Sequence, residues 1–401
     1  MNLISGYPYF LMKSGLPFTY PTLEKDIKTD VAIIGGGISG ALMGYYLTNA
    51  GINTTIVDSR TIGLGSTSAS TSLLQYEIDT PLSELKEKVG LKNAVFAYKQ
   101  CEYAIYQLQK IAHKLHFKEF ELKESLYFAD SLKDEKFLKR EFNIRKQQGF
   151  EVSYLDKAAL KKTYGFAAPG AILSKAGAQT SAYDLTHALI QHAQKKGMKI
   201  FDRTEITGIK HHKESITLKS EKGYIITAKK LVYANGYEAI KYIDKKIVDL
   251  HSTYATISEQ FNDSTEFWKD ECLIWNTADP YLYMRTTKDR RILVGGRDVN
   301  FYDINKRDKL INKKAALLVK DFKTIFPGID FKKEFNWTGT FGSTKDGLPF
   351  IGSYKKLPNS FFALGFGGNG ITFSLLAAEI ITDIITGIKN EEENIFSFNR
   401  I

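Results

Sequence analysis

Thr29 to Asp58 reads TDVAIIGGGISGALMGYYLTNAGINTTIVD, and the order of its parts decides the fold. Val31 to Ile34 are an apolar run short enough for a buried strand, and Gly35, Gly37 and Gly40 keep the G-x-G-x-x-G spacing of a phosphate-binding turn. Ile38 to Ala50 supply a helix that Gly51 can end. Gly35 allows the tight turn, Gly37 lets a pyrophosphate reach the backbone at the helix N-terminus, and Gly40 lets helix and sheet pack closely. Asp58 follows Gly40 by 18 residues and closes the TTIVD run, where a carboxylate can accept hydrogen bonds from ribose hydroxyls. Strand, turn, helix, strand and acid together predict a Rossmann-like α/β unit that binds a dinucleotide.

Two further segments indicate which dinucleotide. DSRTIGLGSTSASTSLLQ, from Asp58 to Gln75, puts small and hydroxylated residues where a plain nicotinamide fold would carry a third apolar strand. NSFFALGFGGNGITFSLLAAEIITDIITG, from Asn359 to Gly387, repeats the strand, glycine turn and helix. A second helix N-terminus aimed into one crevice suits a flavin, whose ring edge becomes negative on reduction.

On these blocks the chain resembles the D-amino-acid oxidase, sarcosine oxidase and glycine oxidase superfamily of FAD-dependent oxidoreductases, from about Asp30 to Gly387. Gly65 to Ser70 looks like the family loop around the pyrophosphate and flavin edge, and Lys230 to Gly236 like the strand that passes the cofactor. Thr344 to Gly352 and Gly365 to Thr372 look like the C-terminal flavin blocks. Tyr281 to Arg285 followed by Arg291 to Arg297 is similar to the amine and γ-glutamylputrescine oxidase branch. The resemblance implies FAD held by Gly35, Gly37, Ile38, Ser39 and Gly40, by Asp58, Ser59 and Arg60, and by Gly65, Ser66, Thr67, Thr71, Ser72 and Leu73. Ile206, Ala234, Gly236, Gly368, Asn369, Gly370, Ile371 and Thr372 complete that set. It also implies a noncovalent cofactor: relatives with attached flavin use a cysteine before the T-K-D-G block or a histidine in the first loop, and Trp337 to Ser343 and Ser66 to Ser70 contain neither.

The implied chemistry is hydride removal from a carbon beside an amine nitrogen to flavin N5, then imine hydrolysis and reoxidation by oxygen or another acceptor. The glycine oxidase-like arginine that binds a substrate carboxylate falls at Phe341 here, and the sarcosine oxidase-like lysine of the last glycine block falls at Thr372. Either another cation, with Arg285 the candidate, takes the carboxylate, or aromatic walls such as Tyr254, Tyr283, Trp337 and Phe341 grip an amine. Gln75, just past the flavin loop, is a further pocket candidate. For each of these the competing role is packing, an ion pair or a loop hydrogen bond. A flavin dehydrogenase of a hydroxy acid and a non-catalytic flavin-binding subunit are the alternative readings.

Composition narrows the rest. The 401 residues suffice for two or three compact domains, and the net charge of +10 comes from basic residues scattered among acids, which describes a solvated surface and not a nucleic-acid stripe. Cys101 and Cys272 form no CxxC motif, and no apolar run reaches the roughly 18–20 residues needed to span a bilayer, so a cytoplasmic enzyme without a transmembrane segment is expected. Neither the adjacent His211 and His212 nor the helical pair His113 and His116 completes a metal-ligand set, and no G-x-S-x-G elbow marks a hydrolase.

The expected organisation is a Rossmann-like FAD domain interleaved with an α+β substrate domain on a mixed, largely antiparallel sheet. Residues 1–82, 151–247 and 338–401 are assigned to the FAD domain, 83–150 to a helical insertion of the substrate domain, and 248–337 to the substrate domain proper. The first 26 residues, interrupted by prolines and rich in aromatics, read as an arm packed on the first domain and not as a signal peptide.

Overall fold

Ile27–Ile34 sits at the centre of the fingerprint unit in the computed structural model, which describes residues 2–390 and 393–400. It pairs in parallel with Thr54–Val57 on one side and Ile225–Tyr233 on the other, and Lys199–Phe201 extends the sheet in parallel beyond Thr54–Val57. The long strand Ile225–Tyr233 divides its free edge. Its first half takes the antiparallel partner Ile216–Ser220, and its last three residues take Ser360–Leu364 in parallel. This split brings the C-terminal glycine block beside the first glycine turn. Helices Ile38–Asn49, Ala182–Lys195 and Gly370–Thr386 pack against one another over the sheet, and their Leu42, Leu47, Leu189, Leu376 and Ile380 are fully buried.

A second sheet of nine strands faces the cofactor unit. Its order begins Ile4–Gly6, Lys333–Ser343, Asp249–Ser258, Ile292–Val299 and Tyr283–Thr286, and ends Leu273–Asn276, Ser125–Phe128, Gly170–Ser174 and Val152–Asp156. All neighbours are antiparallel except Leu273–Asn276 with Ser125–Phe128, so the sheet is mixed and largely antiparallel. Helix Ile311–Ile325 covers one face through Leu318 and Phe322. A short three-stranded sheet of Leu73–Gln75, Gly177–Gln179 and Glu121–Leu122 joins the two units.

At strand level the chain divides differently from the sequence boundaries. Val152–Asp156 and Gly170–Ser174, assigned by sequence to the FAD portion, hydrogen-bond into the nine-stranded sheet, as do residues 338–343. The first residues also differ from expectation. Ile4–Gly6 pairs with Trp337 to Gly339 and satisfies an edge that would otherwise be open, while Tyr9 and Phe10 pack with Ala255, Leu293 and Trp337. Tyr20 and Leu23 then reach the cores of the cofactor unit, so the arm spans both. The helical insertion assigned from residue 83 opens with two helices, Leu82–Val89 and Leu91–Lys114, because Gly90 adopts φ +81 and breaks the hydrogen-bond ladder. Gly51, at φ +78, does follow the end of Ile38–Asn49.

Candidate active site

The glycine turn is fixed by close backbone contacts. Gly35 has φ +113, and a Cβ there would stand 2.5 Å from the carbonyl oxygen of Ala234. A Cβ on Gly40 would lie 1.8 Å from the oxygen of Gly35, so only glycine lets the helix start against the strand it leaves. Gly40 therefore shapes the site from behind and does not line it. At Gly37 a Cβ would fall 2.7 Å from Thr67 Oγ1, the atom that accepts the Ile38 N–H at 3.0 Å. Thr67 thus stitches the Gly65 to Ser70 loop onto the turn. Trp337 holds the other side of that loop by donating its indole N–H to Ala69 O at 2.8 Å.

Asp58 accepts the backbone N–H of Gly36 at 2.7 Å and of Arg60 at 2.8 Å, one on each carboxylate oxygen. Burial raises its pKa, and these two N–H groups work against that rise. Arg60 forms a two-bond ion pair with Glu238, at 2.7 and 3.2 Å, which closes this end of the cavity.

The cavity has a volume of about 730 Å³ and runs from this turn to the nine-stranded sheet. Every FAD-binding candidate named from the sequence lines it except Gly40: the turn, Asp58 to Arg60, the loop from Gly65 through Leu73, Ile206, Ala234, Gly236, and Gly368 to Thr372. Two helices open into it, Ile38–Asn49 and Gly370–Thr386; neither N-cap residue caps its helix with a side chain, although Thr67 takes the Ile38 N–H of the first. Their free N–H groups and dipoles favour electron-rich ligand atoms. Asn369, at the start of the second helix, instead donates to the carbonyls of Gln75 and Glu77 at 3.0 and 2.9 Å, which ties the chain leaving strand Leu73–Gln75 to this helix end. The shape, the two helix N-termini and the carboxylate of Asp58 fit FAD.

At the far end the walls are Gln75, Tyr254, Tyr281, Tyr283, Trp337 and Phe341. Gln75 donates to Ser125 Oγ at 3.2 Å, and Tyr254 donates to Arg307 O at 3.3 Å. Burial pushes the hydroxyls of Tyr254 and Tyr283 up to about 12, so both stay neutral donors at physiological pH. Arg285 does not belong to this wall. It extends from the same face of its strand as Tyr283, one pleat further on, where the chain covers it. Its Nη1 donates to Ser72 O and Thr180 O at 2.8 and 2.9 Å, its Nε donates to Thr286 O at 3.2 Å, and the guanidinium lies 5.3 Å from the Phe10 ring centroid. Burial lowers its pKa to about 10. Its Nη1 and Nε donors are taken by backbone carbonyls and it does not line the cavity, so the structure does not bring it to the substrate wall as expected.

Sequence reasoning missed Asp298, which projects into this end of the cavity, and Asp79, which accepts the Gly368 N–H at 2.6 Å and the Tyr281 hydroxyl at 3.3 Å. Neither sits in a spaced motif. The signal for Asp298 was a charged residue just past a glycine pair in a buried strand, Gly295 and Gly296.

With this geometry in place, the comparisons with known proteins decide the family. The family model described as FAD dependent oxidoreductase (DAO) matches residues 30–384. The chain belongs to the DAO family of FAD-dependent oxidoreductases. It is similar to glycine oxidase of Bacillus subtilis (strain 168), with 24% identity over 91% of this chain and 94% of that protein. It is also similar to gamma-glutamylputrescine oxidoreductase of Escherichia coli (strain K12), with 20% identity over 94% of this chain and 88% of the relative. Among solved structures, glycine oxidase from Geobacillus kaustophilus superposes with a TM-score of 0.78 at 20% identity, over 93% of this chain and 99% of that one, and shares the fold. No helix among the described residues is long and apolar enough to cross a membrane.

Proposed function

We propose that this DAO-family enzyme oxidises the carbon–nitrogen bond of a small amine or amino acid. The carrying observation is one continuous cavity that joins the dinucleotide turn to an aromatic wall beneath an uncapped helix. FAD bound there supplies a hydride acceptor for the carbon beside the nitrogen. The chain's own residues bind and orient. Gly35, Gly37 and Thr67 shape the pyrophosphate seat, Asp58 faces the ribose side, and the first N–H groups of Gly370–Thr386 favour the charge that reduction creates. Tyr254, Tyr283, Trp337 and Phe341 exclude water from the reacting carbon and present ring faces that attract a cationic amine. The imine product hydrolyses, and oxygen or another acceptor takes the electrons. Similarity to a glycine oxidase and to a gamma-glutamylputrescine oxidoreductase, enzymes named for amine-bearing compounds, supports this substrate class.

Anaerobic mixing of the yellow holoenzyme with separate panels of amines, amino acids and hydroxy acids tests the reading. Bleaching of the flavin band by an amine or amino acid is the expected result. Bleaching by hydroxy acids alone would replace it with an alcohol oxidation, and bleaching by no panel would make the chain a flavin-binding subunit.

A further inference from the structure

Asp298 is the unexplained charge of this cavity. It lies near the end of Ile292–Val299, where the pairing with Asp249–Ser258 slips: Tyr254 faces Gly296, yet Ser252 faces Val299, so one extra residue is accommodated. Gly296 at φ +132 and Arg297 at φ +58 make this bulge, and a bulge re-aims the side chains that follow it. The Asp298 carboxylate turns into the cavity beside Thr253, Tyr281 and Tyr283. There it forms no ion pair with any described residue, its Oδ1 is fully buried without a hydrogen-bond partner, and the one polar side chain that favours its charged form at close range is the neutral hydroxyl of Thr253.

The nearby cations are committed elsewhere. Arg297 bonds Asp321 at 2.6 Å, and Lys314 donates to Arg297 O at 2.7 Å with its ammonium 5.4 Å from the Tyr254 ring centroid. Asp79 and Asp279 add charge of the same sign to that of Asp298, with Lys314 opposing. Among the described lining residues the only cations are Arg60 and Lys241, which belong with Asp58 and Glu238 at the opposite end. A carboxylate largely withdrawn from water and with no cationic partner is costly unless a ligand cation joins it, and a substrate carboxylate placed here would meet repulsion.

We propose that Asp298 binds a second ammonium group of the substrate, so that the preferred substrate is a carboxylate-free diamine or polyamine and not an amino acid. This rests on the amine oxidation proposed above. The substrate's reacting nitrogen lies toward the flavin end, its methylene chain along the tyrosine and tryptophan faces, and its distal ammonium against Asp298.

The test uses holoenzyme reduced anaerobically with dithionite, which cannot turn over, and measures binding of putrescine, butylamine and γ-aminobutyrate by calorimetry. Putrescine should bind roughly tenfold to a hundredfold more tightly than butylamine, the range for a hydrogen bond to a charged group, and γ-aminobutyrate should bind most weakly. Asp298→Asn should collapse the gap between putrescine and butylamine, the oxidised variant having purified yellow before reduction. If the variant loses FAD, the ranking in the unaltered protein still decides. Equal binding of putrescine and butylamine, or tighter binding of γ-aminobutyrate than of either, overturns the inference. If amino acids bleach the oxidised flavin in preference to diamines, amine oxidation survives and the role of Asp298 falls. If only hydroxy acids bleach it, both fall.

Discussion

Replacing Asp298 with asparagine should stabilise the substrate-free fold, by an amount that depends on pH. The carboxyl is raised from 3.8 to about 6, first by burial and then, against the pull of Thr253, by the charge of Asp79. The folded protein therefore holds this proton more tightly than the unfolded chain does. The associated stability is fully present below 3.8 and is lost as pH rises through about 6. Integrating that difference gives a penalty of about 1 kcal/mol near pH 4.5 that grows to about 3 kcal/mol above pH 7. Asparagine keeps the shape and never ionises, so the variant should be more stable by these amounts at each pH. Asp79 then faces one negative charge fewer, which acts in the same direction. Urea unfolding of both proteins, in the same excess of FAD to hold the ligand contribution constant, measures the difference. A gap that is constant between pH 4.5 and pH 7.5, or an asparagine variant less stable at neutral pH, would refute the argument that this carboxylate is held in the cavity without a cationic partner.

Gly37→Val places branched carbons against Thr67 Oγ1 and the pyrophosphate seat, so the protein should purify colourless; retention of stoichiometric FAD would remove the support for that seat. Asp58→Ala should weaken FAD, read by equilibrium dialysis, and unchanged affinity would mean that the ribose is held elsewhere. No cysteine or histidine stands among the described residues lining the cavity, so acid precipitation should release yellow FAD and leave a chain of unmodified mass. Arg285→Met strips the donors from the carbonyls of Ser72, Thr180 and Thr286 and should lower stability by about 1–3 kcal/mol. It should leave the relative affinity for amino acids and amines unchanged, and a selective loss of amino-acid binding would restore its role as a carboxylate anchor.

The cofactor half was legible because its constraints are local. A glycine that must have φ +113, or whose Cβ would meet a carbonyl at 1.8 Å, leaves its mark at a fixed spacing in the chain. The hydroxylated loop and the second glycine block carry comparable marks, and the structure gathers them around one cavity. The substrate end gave no such signal. Arg285 and Tyr283 are two residues apart on one strand, and alternation alone would send both to the same cavity; what separates them is the covering chain at Ser72 and Thr180, distant in sequence. Asp298 owes its direction to a bulge that is defined only by the partner strand. The membership of Val152–Asp156 in the nine-stranded sheet was hidden for a similar reason, since a short amphipathic strand does not specify which edge it joins.

The pairing of Ile4–Gly6 with Trp337 to Gly339 also sets an order of events during synthesis. These early residues emerge from the ribosome long before the strand they complete, and the helix that begins at Gly370 emerges later still. The cavity has no wall at this helix until residue 372 has been made. Productive capture of the whole cofactor is consequently a late, long-range step, and nascent chains must keep a waiting sheet edge from pairing with the wrong neighbour.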